Sequence, residues 1–200
     1  MRVLAIDTAL GACSAAIFDT NQGGIIARAS LTMLRGHAEA LMPLIRRITD
    51  EADTAFRDLD RVVVTTGPGS FTGLRVGIAA ARGIALAINK PAVGLSTLSA
   101  YAAPYLADDD NAPVVVAIDA RHSHVYLQVF AAGGRTVTGP RLAPLNEAVR
   151  AASAVPARIV GSAAQFVAEG LAVTDAAPLH VDAGGAPDAQ PQNASQLPRR

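Results

Sequence analysis

A glycine-rich segment at 67–73, with the sequence GPGSFTG, has the residue types and spacing best suited to chemistry in this 200-residue chain. It follows an apolar run at 62–64 and precedes an alanine-rich stretch at 78–89, which predicts a strand, a tight turn and a helix. Ser70 or Thr72 can then cap that helix. Backbone N–H groups at a helix N-terminus attract anions. The candidate residues for a weak anion or nucleotide site are Asp7, Gly67, Gly69, Ser70 and Thr72.

The spacing of this loop differs from that of the two common nucleotide-binding loops. A Walker A loop has Lys and then Ser or Thr after its last glycine, whereas Gly73 is followed by Leu74 and Arg75. The Rossmann pattern has two residues between its last glycines, and here three residues separate Gly69 from Gly73. A tight turn that binds no ligand therefore carries the same weight as an anion site.

The chain also contains an internal sequence repeat. The strand-like segment that ends at Asp7 recurs 112 residues later, ending at Asp119, and Phe18 falls on Phe130 at the same offset without a gap. Each copy has the pattern of an apolar strand ending in Asp, a short turn and a second strand. This predicts a duplicated, two-lobed α/β fold. Asp7 and Asp119 could hold a Mg²⁺-bound phosphate, and turn formation by Asp at a strand end is equally expected.

Other side chains with ligating or nucleophilic chemistry lack the neighbours that such chemistry needs. His122 and His124 can share one face, but without a third ligand a solvated hairpin tip is favoured over a metal site. Cys13 has no histidine beside it in the sequence, and Ser70 is not part of a Gly-x-Ser-x-Gly turn. The acidic run at 108–111 is expected to be a solvated loop between lobes rather than a metal site.

The composition limits the possible functions. The 17 basic and 17 acidic side chains give a formal net charge of +0, so the chain lacks the electrostatic footprint of a protein that binds tRNA or DNA directly. A single cysteine excludes an internal disulfide and suits a reducing cytosol. Asp7 comes too early for a secretory signal, and no apolar run approaches the length of a membrane span. We therefore expect a soluble, cytoplasmic protein.

Hydrophobic periodicity predicts the elements that must position these residues. The expected strands are at 2–7, 13–19, 25–31, 61–65, 92–94, 114–119, 125–130 and 158–160, and the expected helices at 37–56, 73–89, 96–106, 146–154 and 163–170. This order predicts an N-terminal lobe at residues 1–107 and a shortened C-terminal lobe at 108–182. From residue 183 onward the composition turns to Gly, Pro, Gln, Asn and Ser, which predicts a loose tail at 183–200.

Several of these segments together resemble the TsaB (YeaZ) family. The resemblance rests on LAIDT at 4–8, GPGSFTGLRVG at 67–77, GLSTL at 94–98 and AIDAR at 117–121. It implies the actin/Hsp70/sugar-kinase-like (ASKHA) fold with two lobes. It further implies a role in forming N6-threonylcarbamoyladenosine at position 37 of tRNAs that read ANN codons. The implied partners are TsaD, as a heterodimer, and TsaE in the larger complex, with a homodimer when the chain is alone and only indirect contact with tRNA.

The catalytic relative TsaD differs from this chain at two positions. TsaD binds a metal through a His-x-x-x-His pattern on a helix, and Thr97 and Tyr101 stand at the matching positions here. A threonine hydroxyl and a phenol are poor substitutes for two neutral imidazoles. The resemblance thus implies a non-catalytic protein with no metal and no cofactor. The alternative is a nucleotide-dependent kinase or ATPase that uses Asp7, the glycine-rich loop and Asp119.

The family also pairs through two helices, which correspond to about 37–48 and 73–89 here. The second helix has more glycine and alanine than a core-facing helix needs, which is typical of close helix–helix approach. An apolar stripe that packs entirely within the chain's own core is the alternative, because amphipathic helices usually bury their stripe against their own domain. The candidate partner-binding residues are His37, Ala40, Leu41, Leu44, Ile45, Gly73, Leu74, Gly77, Ile78 and Ala81.

Overall fold

The structure is a computed structural model that describes residues 1–106, 112–172, 178 and 180–182. It divides the chain into two compact units, Met1–Thr97 and Leu98–Pro187. Helix α3, at Thr97–Leu106, falls with the second unit from Leu98 onward, whereas the sequence placed it in the first lobe. The acidic run at 108–111 and the tail predicted at 183–200 lie outside the described residues.

The first unit is a five-stranded sheet with two helices. Its strands are β1 (Arg2–Asp7), β2 (Ala12–Asp19), β3 (Gly24–Thr32), β4 (Arg61–Thr65) and β5 (Ala92–Leu95), and its helices are α1 (His37–Glu51) and α2 (Phe71–Ala87). The sheet order is β3-β2-β1-β4-β5. Strands β1, β2 and β3 pair antiparallel, while β4 and β5 join parallel to β1 and to each other.

The second unit repeats this topology. Its strands are β6 (Val114–Asp119), β7 (His124–Phe130), β8 (Thr136–Pro144), β9 (Arg158–Val160) and β10 (His180–Asp182), with helices α4 (Leu145–Ser153) and α5 (Ala164–Ala172) beside α3. The sheet order, β8-β7-β6-β9-β10, matches that of the first sheet strand for strand, including which pairs are parallel. The predicted duplicated α/β fold is therefore confirmed.

One detail of the predicted repeat is wrong. Strands β1 and β6 keep the ungapped offset, but the hairpins that follow them differ by one residue. Val3 faces Phe18 in the first sheet, whereas Val115, its counterpart, faces Val129 in the second. The structural equivalent of Phe18 is thus Val129 rather than Phe130, because the second hairpin turn is one residue shorter.

Each sheet buries one face under its helices. Helix α1 places Leu41, Leu44, Ile45 and Ile48 on the first sheet, with Leu4, Ile17 and Val62 in the same core cluster. In the second unit, the sheet and helices α4 and α5 share a core that includes Leu127, Ile159, Val167 and Leu171. These positions recur every three or four residues in the helices and alternate along the strands, as packing of helices on one face of a sheet requires. Most of the residues between them on β2 and β6 are buried as well.

The expected elements are present with boundary shifts, and two strands were not predicted. Helix α1 ends at Glu51 rather than near 56, and Asp53 beyond it has a φ of 44°. Strands β8 and β10 are the unpredicted elements. Each lies at an edge of its sheet and pairs with one neighbour only. No helix in the described ranges is long and apolar enough to cross a bilayer.

Candidate functional site

The glycine-rich loop runs from the end of β4 into α2, as predicted. The Gly67–Pro68 peptide bond is cis, and Gly67 has a φ of +113°, a conformation that favours glycine. Ser70 is the N-cap of α2, and its hydroxyl accepts a hydrogen bond from the Gly73 N–H at 3.3 Å. The Ser70 N–H donates to the Ala9 carbonyl at 2.6 Å. The loop is therefore bonded to the turn between β1 and β2.

Glycines let the loop and the first turns of α2 lie directly on that β1–β2 turn. A Cβ at Gly69 would collide with the carbonyl of Ala9, and one at Gly73 would collide with the carbonyl of Thr8. A Cβ at Gly77 would meet the Thr8 hydroxyl and would lie 3.4 Å from a methyl group of Val64. The Thr8 hydroxyl also donates to the Gly73 carbonyl at 2.8 Å. These glycines serve close packing within the unit.

The two strand-end aspartates form the same kind of turn. The Asp7 carboxylate accepts hydrogen bonds from the Ala9 N–H at 2.9 Å and from the Thr65 hydroxyl at 2.7 Å. The Asp119 carboxylate accepts from the Arg121 N–H at 2.8 Å. In each copy of the repeat an aspartate therefore accepts from the N–H two residues ahead, which is the turn-forming role left open by the sequence.

Helix α3 carries the two positions at which the resemblance places metal-binding histidines in TsaD. Thr97 is 0% exposed and Tyr101 is 5% exposed. The Thr97 N–H donates to the Gly67 carbonyl at 2.9 Å, a bond that lies within the first unit. In the part of the chain that the structure describes, no three His, Cys, Asp or Glu side chains lie close enough to share an ion.

The histidines at the β6–β7 turn form a local contact. His124 Nδ1 lies 2.8 Å from the His122 carbonyl oxygen, and both residues are exposed. Arg121, His122 and Ser123 all have φ between 52° and 67°. The pair lies at a solvated hairpin tip.

Two buried groups have shifted pKa values. Burial, with a smaller contribution from Asp7, raises the pKa of the Cys13 thiol, so this cysteine is a poor nucleophile at neutral pH. A hydrogen bond from Arg2 lowers the pKa of Asp19, and the Asn21 N–H adds to the effect. The Arg2 Nε and Asp19 Oδ2 atoms are 2.8 Å apart, and the Asp19 side chain is 2% exposed. This pair joins the start of β1 to the end of β2.

The predicted partner-binding residues mostly face the core of their own unit. Leu41, Leu44, Ile45 and Ala81 are at most 3% exposed. His37, Gly73 and Gly77 are also buried, and Ala40, Leu74 and Ile78 are partly buried. The small-residue stripe on α2 is thus accounted for by packing on Thr8 and the sheet, which was the intramolecular alternative. A partner-binding role for these residues stays a prediction, and the buried ones have no surface to offer.

The opposite face of α2 exposes large apolar side chains, which the sequence reasoning missed. Phe71 is 68% exposed and Leu86 is 83% exposed. Beside them an apolar groove of about 390 Å³ lies between α1 and α2, lined by Met42, Phe56, Ala80, Gly83, Ile84, Ala87 and Ile88. Large apolar side chains on the helix face opposite the glycines are the signal that could have revealed this surface, because a single buried stripe does not account for them.

The chain is similar to known proteins in both sequence and structure. A family model described as "TsaD: tRNA N6-adenosine threonylcarbamoyltransferase" matches residues 14–178. The tRNA threonylcarbamoyladenosine biosynthesis protein TsaB of Escherichia coli (strain K12) is 40% identical over 126 residues, which are 63% of this chain and 53% of that protein. The solved structure of YeaZ from Pseudomonas aeruginosa is 27% identical, with a TM-score of 0.75, and the match covers 94% of this chain and 88% of that one.

The chain belongs to the TsaB (YeaZ) family. A second Pseudomonas aeruginosa structure, of an uncharacterized protein with similarity to peptidase YEAZ, agrees at a TM-score of 0.77 and 28% identity over 94% of this chain and 86% of that one. In sequence, this TsaB-family chain spans about half the length of the curated relatives it matches. The matching family model is described as TsaD and the curated relatives as TsaB, so the reaction has to be inferred from the site.

Proposed function

We propose that this chain is a non-catalytic partner of TsaD in forming N6-threonylcarbamoyladenosine at position 37 of ANN-decoding tRNAs, with TsaE in the larger complex. The main support for the proposal is that Thr97 and Tyr101 stand where the resemblance places the two metal-binding histidines of TsaD. A threonine and a tyrosine are poor metal ligands. Their burial in α3 gives them a packing role. TsaD would then supply the transfer chemistry.

The glycine-rich loop supports a structural role for this part of the chain. Its backbone is bonded to Ala9 and packs against Thr8 and Ala9 so closely that Gly69 and Gly73 have no room for a side chain. The Ser70 hydroxyl, which a serine peptidase would need as its nucleophile, caps α2 instead. The Cys13 thiol is buried. The loop backbone and the Ser70 hydroxyl therefore have structural partners, and the Cys13 thiol is shielded from solvent.

We place the proposed TsaD-binding surface on the outer face of α1 and α2. The apolar groove lined by Met42, Gly83 and Ala87 has small residues on its α2 side, which allow close approach of a helix backbone. The exposed Leu86 adjoins it along α2. Exposed apolar area of this kind marks an interaction surface. Because the formal net charge is +0, contact with tRNA would pass mainly through the partner.

The test is a matched pair of substitutions. Leu86→Glu places a charge on the proposed surface, and Leu142→Glu makes the same change at a leucine of β8 that is 59% exposed. Binding to purified TsaD from the same host is measured by titration calorimetry and size-exclusion chromatography. We expect Leu86→Glu to abolish or strongly weaken the heterodimer, because it replaces a large exposed apolar side chain of the proposed surface by a charged one that is costly to bury. Leu142→Glu should bind as the unmodified chain does.

Two outcomes would contradict this assignment. If Leu86→Glu bound TsaD with unchanged affinity while folded, the interface would lie elsewhere. If the unmodified chain did not bind TsaD at all, the partner role itself would fail. The melting temperature of each variant separates a lost interface from a lost fold.

A further inference from the structure

A line of exposed side chains follows the outermost edge of α2. Phe71, Arg75, Arg82 and Leu86 are spaced by four, seven and four residues, so they lie along one side of the helix, with Ala79 beside them. All are exposed in the isolated chain. We call Phe71, Arg75, Arg82 and Leu86 the arginine ridge. It lies opposite the buried Gly73, Gly77 and Ala81 and borders the apolar groove through Gly83 and Ala87.

The two arginines of the ridge carry charge that the described part of the chain does not balance. Helix α2 contains Arg75 and Arg82 and no acidic residue. Within the described ranges, neither arginine forms an ion pair with a carboxylate. The arginines of α1 differ, because each forms an ion pair one turn further along the helix. Arg46 pairs with Asp50 at 3.5 Å, and Arg47 pairs with Glu51 at 3.4 Å. The outer face of α1 is therefore close to neutral, and the ridge is positive.

Arg75 is held in place before any partner binds. Its guanidinium carbon lies 3.8 Å from the centre of the Phe71 ring, which is cation–π stacking geometry. A stacked arginine loses less conformational entropy when it forms hydrogen bonds, because its planar group is already oriented. The arginine of the GLRVG motif thus has a surface role that the packing of the neighbouring glycines does not explain.

We infer that Arg75 and Arg82 select a partner helix that carries carboxylates facing them, in preference to a second copy of this chain. The inference rests on the proposed pairing with TsaD and adds the chemistry that the partner must present. Seven residues of α-helix rise about 10.5 Å. Two acidic residues spaced by seven on the partner's helix would meet both guanidinium groups.

Self-pairing of the ridge is disfavoured by charge. In a two-fold symmetric dimer the same patch lies on both sides of the interface. The arginines of one copy would then approach those of the other beside desolvated Phe71 and Leu86, and like charges in such a setting weaken binding. The homodimer implied by the family resemblance should therefore be weaker than the pairing with an acidic partner.

The ridge fits a protein helix better than a nucleic acid. Phe71 and Leu86 are 68% and 83% exposed, and the adjoining groove is apolar, which favours burial against another protein. A phosphate backbone would be met by a denser cluster of basic residues than two arginines on a chain of formal net charge +0.

The experiment measures binding to purified TsaD from the same host at low and high salt. The variants are Arg75→Glu, Arg82→Glu and the double variant, with Arg28→Glu as control, since Arg28 is an exposed arginine on β3. We expect each single reversal to weaken binding at least ten-fold, which is about 1.4 kcal/mol. The affinity of the unmodified chain should fall with added salt, that of the double variant should not, and Arg28→Glu should have little effect. The neutral variants Arg75→Gln and Arg82→Gln should show intermediate losses.

Sedimentation of the free chain supplies the second readout. Replacing both arginines by alanine should increase self-association, because the repulsion is removed and the apolar residues remain. If the charge-reversed variants keep their fold and bind TsaD as tightly as the unmodified chain, the inference is overturned while the proposed partnership stands. The inference is also overturned if the variants lose only tRNA binding. If the unmodified chain does not bind TsaD, both the partnership and the inference fall.

Discussion

A methyl group added to each of two glycines of α2 should move the stability of this protein in opposite directions. Gly73 and Gly83 lie in the same helix. A Cβ at Gly83 has no heavy atom within 4 Å, whereas a Cβ at Gly73 would overlap the Thr8 carbonyl oxygen and lie 3.3 Å from its carbon. Helix propensity favours alanine at both sites, so the difference between the variants isolates the close approach to Thr8.

The magnitudes follow from these contacts. Gly83→Ala should stabilise by about 0.5–1 kcal/mol, the gain of alanine over glycine inside a helix. Forcing extra atoms into a packed site typically costs about 1–3 kcal/mol. The obstacle at Gly73 is a backbone carbonyl, which cannot rotate away, and its shift also strains the hydrogen bond from the Thr8 hydroxyl to the Gly73 carbonyl. After the smaller propensity gain near the helix start is subtracted, we expect Gly73→Ala to destabilise by about 1–2 kcal/mol.

Thermal melting followed by circular dichroism measures both changes. At this chain length 1 kcal/mol corresponds to about 2–4 °C in Tm. Gly83→Ala should therefore melt about 1–4 °C higher than the unmodified protein and Gly73→Ala about 2–8 °C lower. A Gly73→Ala variant that melts at or above the unmodified protein would refute the packing of α2 on the β1–β2 turn.

Three further outcomes are expected. The Cys13 thiol should react with a disulfide reagent at pH 8 only after unfolding, because it is buried and its pKa is raised; rapid reaction of the folded protein would contradict this. Asp19→Asn should lower Tm at neutral pH, because the pKa of Asp19 is lowered by Arg2 in the folded state. This stabilisation is present above the ordinary carboxyl pKa of about 3.9 and is lost on acidification. The melting temperatures of Asp19→Asn and of the unmodified protein should therefore converge below that pH. A difference in Tm that does not change with pH would count against the Arg2–Asp19 ion pair. Gly77→Val should unfold or strongly destabilise the chain rather than selectively block partner binding, since its side chain would enter the space of Thr8; a stable monomer by size-exclusion chromatography would contradict this.

Local sequence signals were sufficient for most of the fold. The β-branched run before Gly67 and the alanine-rich stretch after Gly73 specify a strand, a turn and a helix, and Ser70 caps that helix as a residue of its type should. The repeat ending at Asp7 and Asp119 specified the duplication. The one-residue difference between the hairpins could not be predicted, because Val129 and Phe130 are both apolar and both at least partly buried, so the sequence pattern does not distinguish them.

The edge strands and the orientation of the helices depend on tertiary context. Strand β8 contains Gly139 and Pro140 and has little strand propensity of its own, and β10 has only three residues. Both exist because a neighbouring strand offers hydrogen bonds. The glycines and alanines of α2 indicate that this helix packs closely against another segment, but they do not indicate which one. The structure shows that the segment is the β1–β2 turn at Thr8.

The most direct test of the proposed function is reconstituted transfer. Purified TsaD and TsaE from the same host, threonylcarbamoyl-adenylate and an ANN-decoding tRNA are combined with and without this chain, and modified adenosine is quantified by mass spectrometry. We expect transfer to require both TsaD and this chain, and this chain alone to transfer nothing. Transfer by this chain alone, or an unchanged rate when it is omitted, would contradict its assignment as a non-catalytic partner.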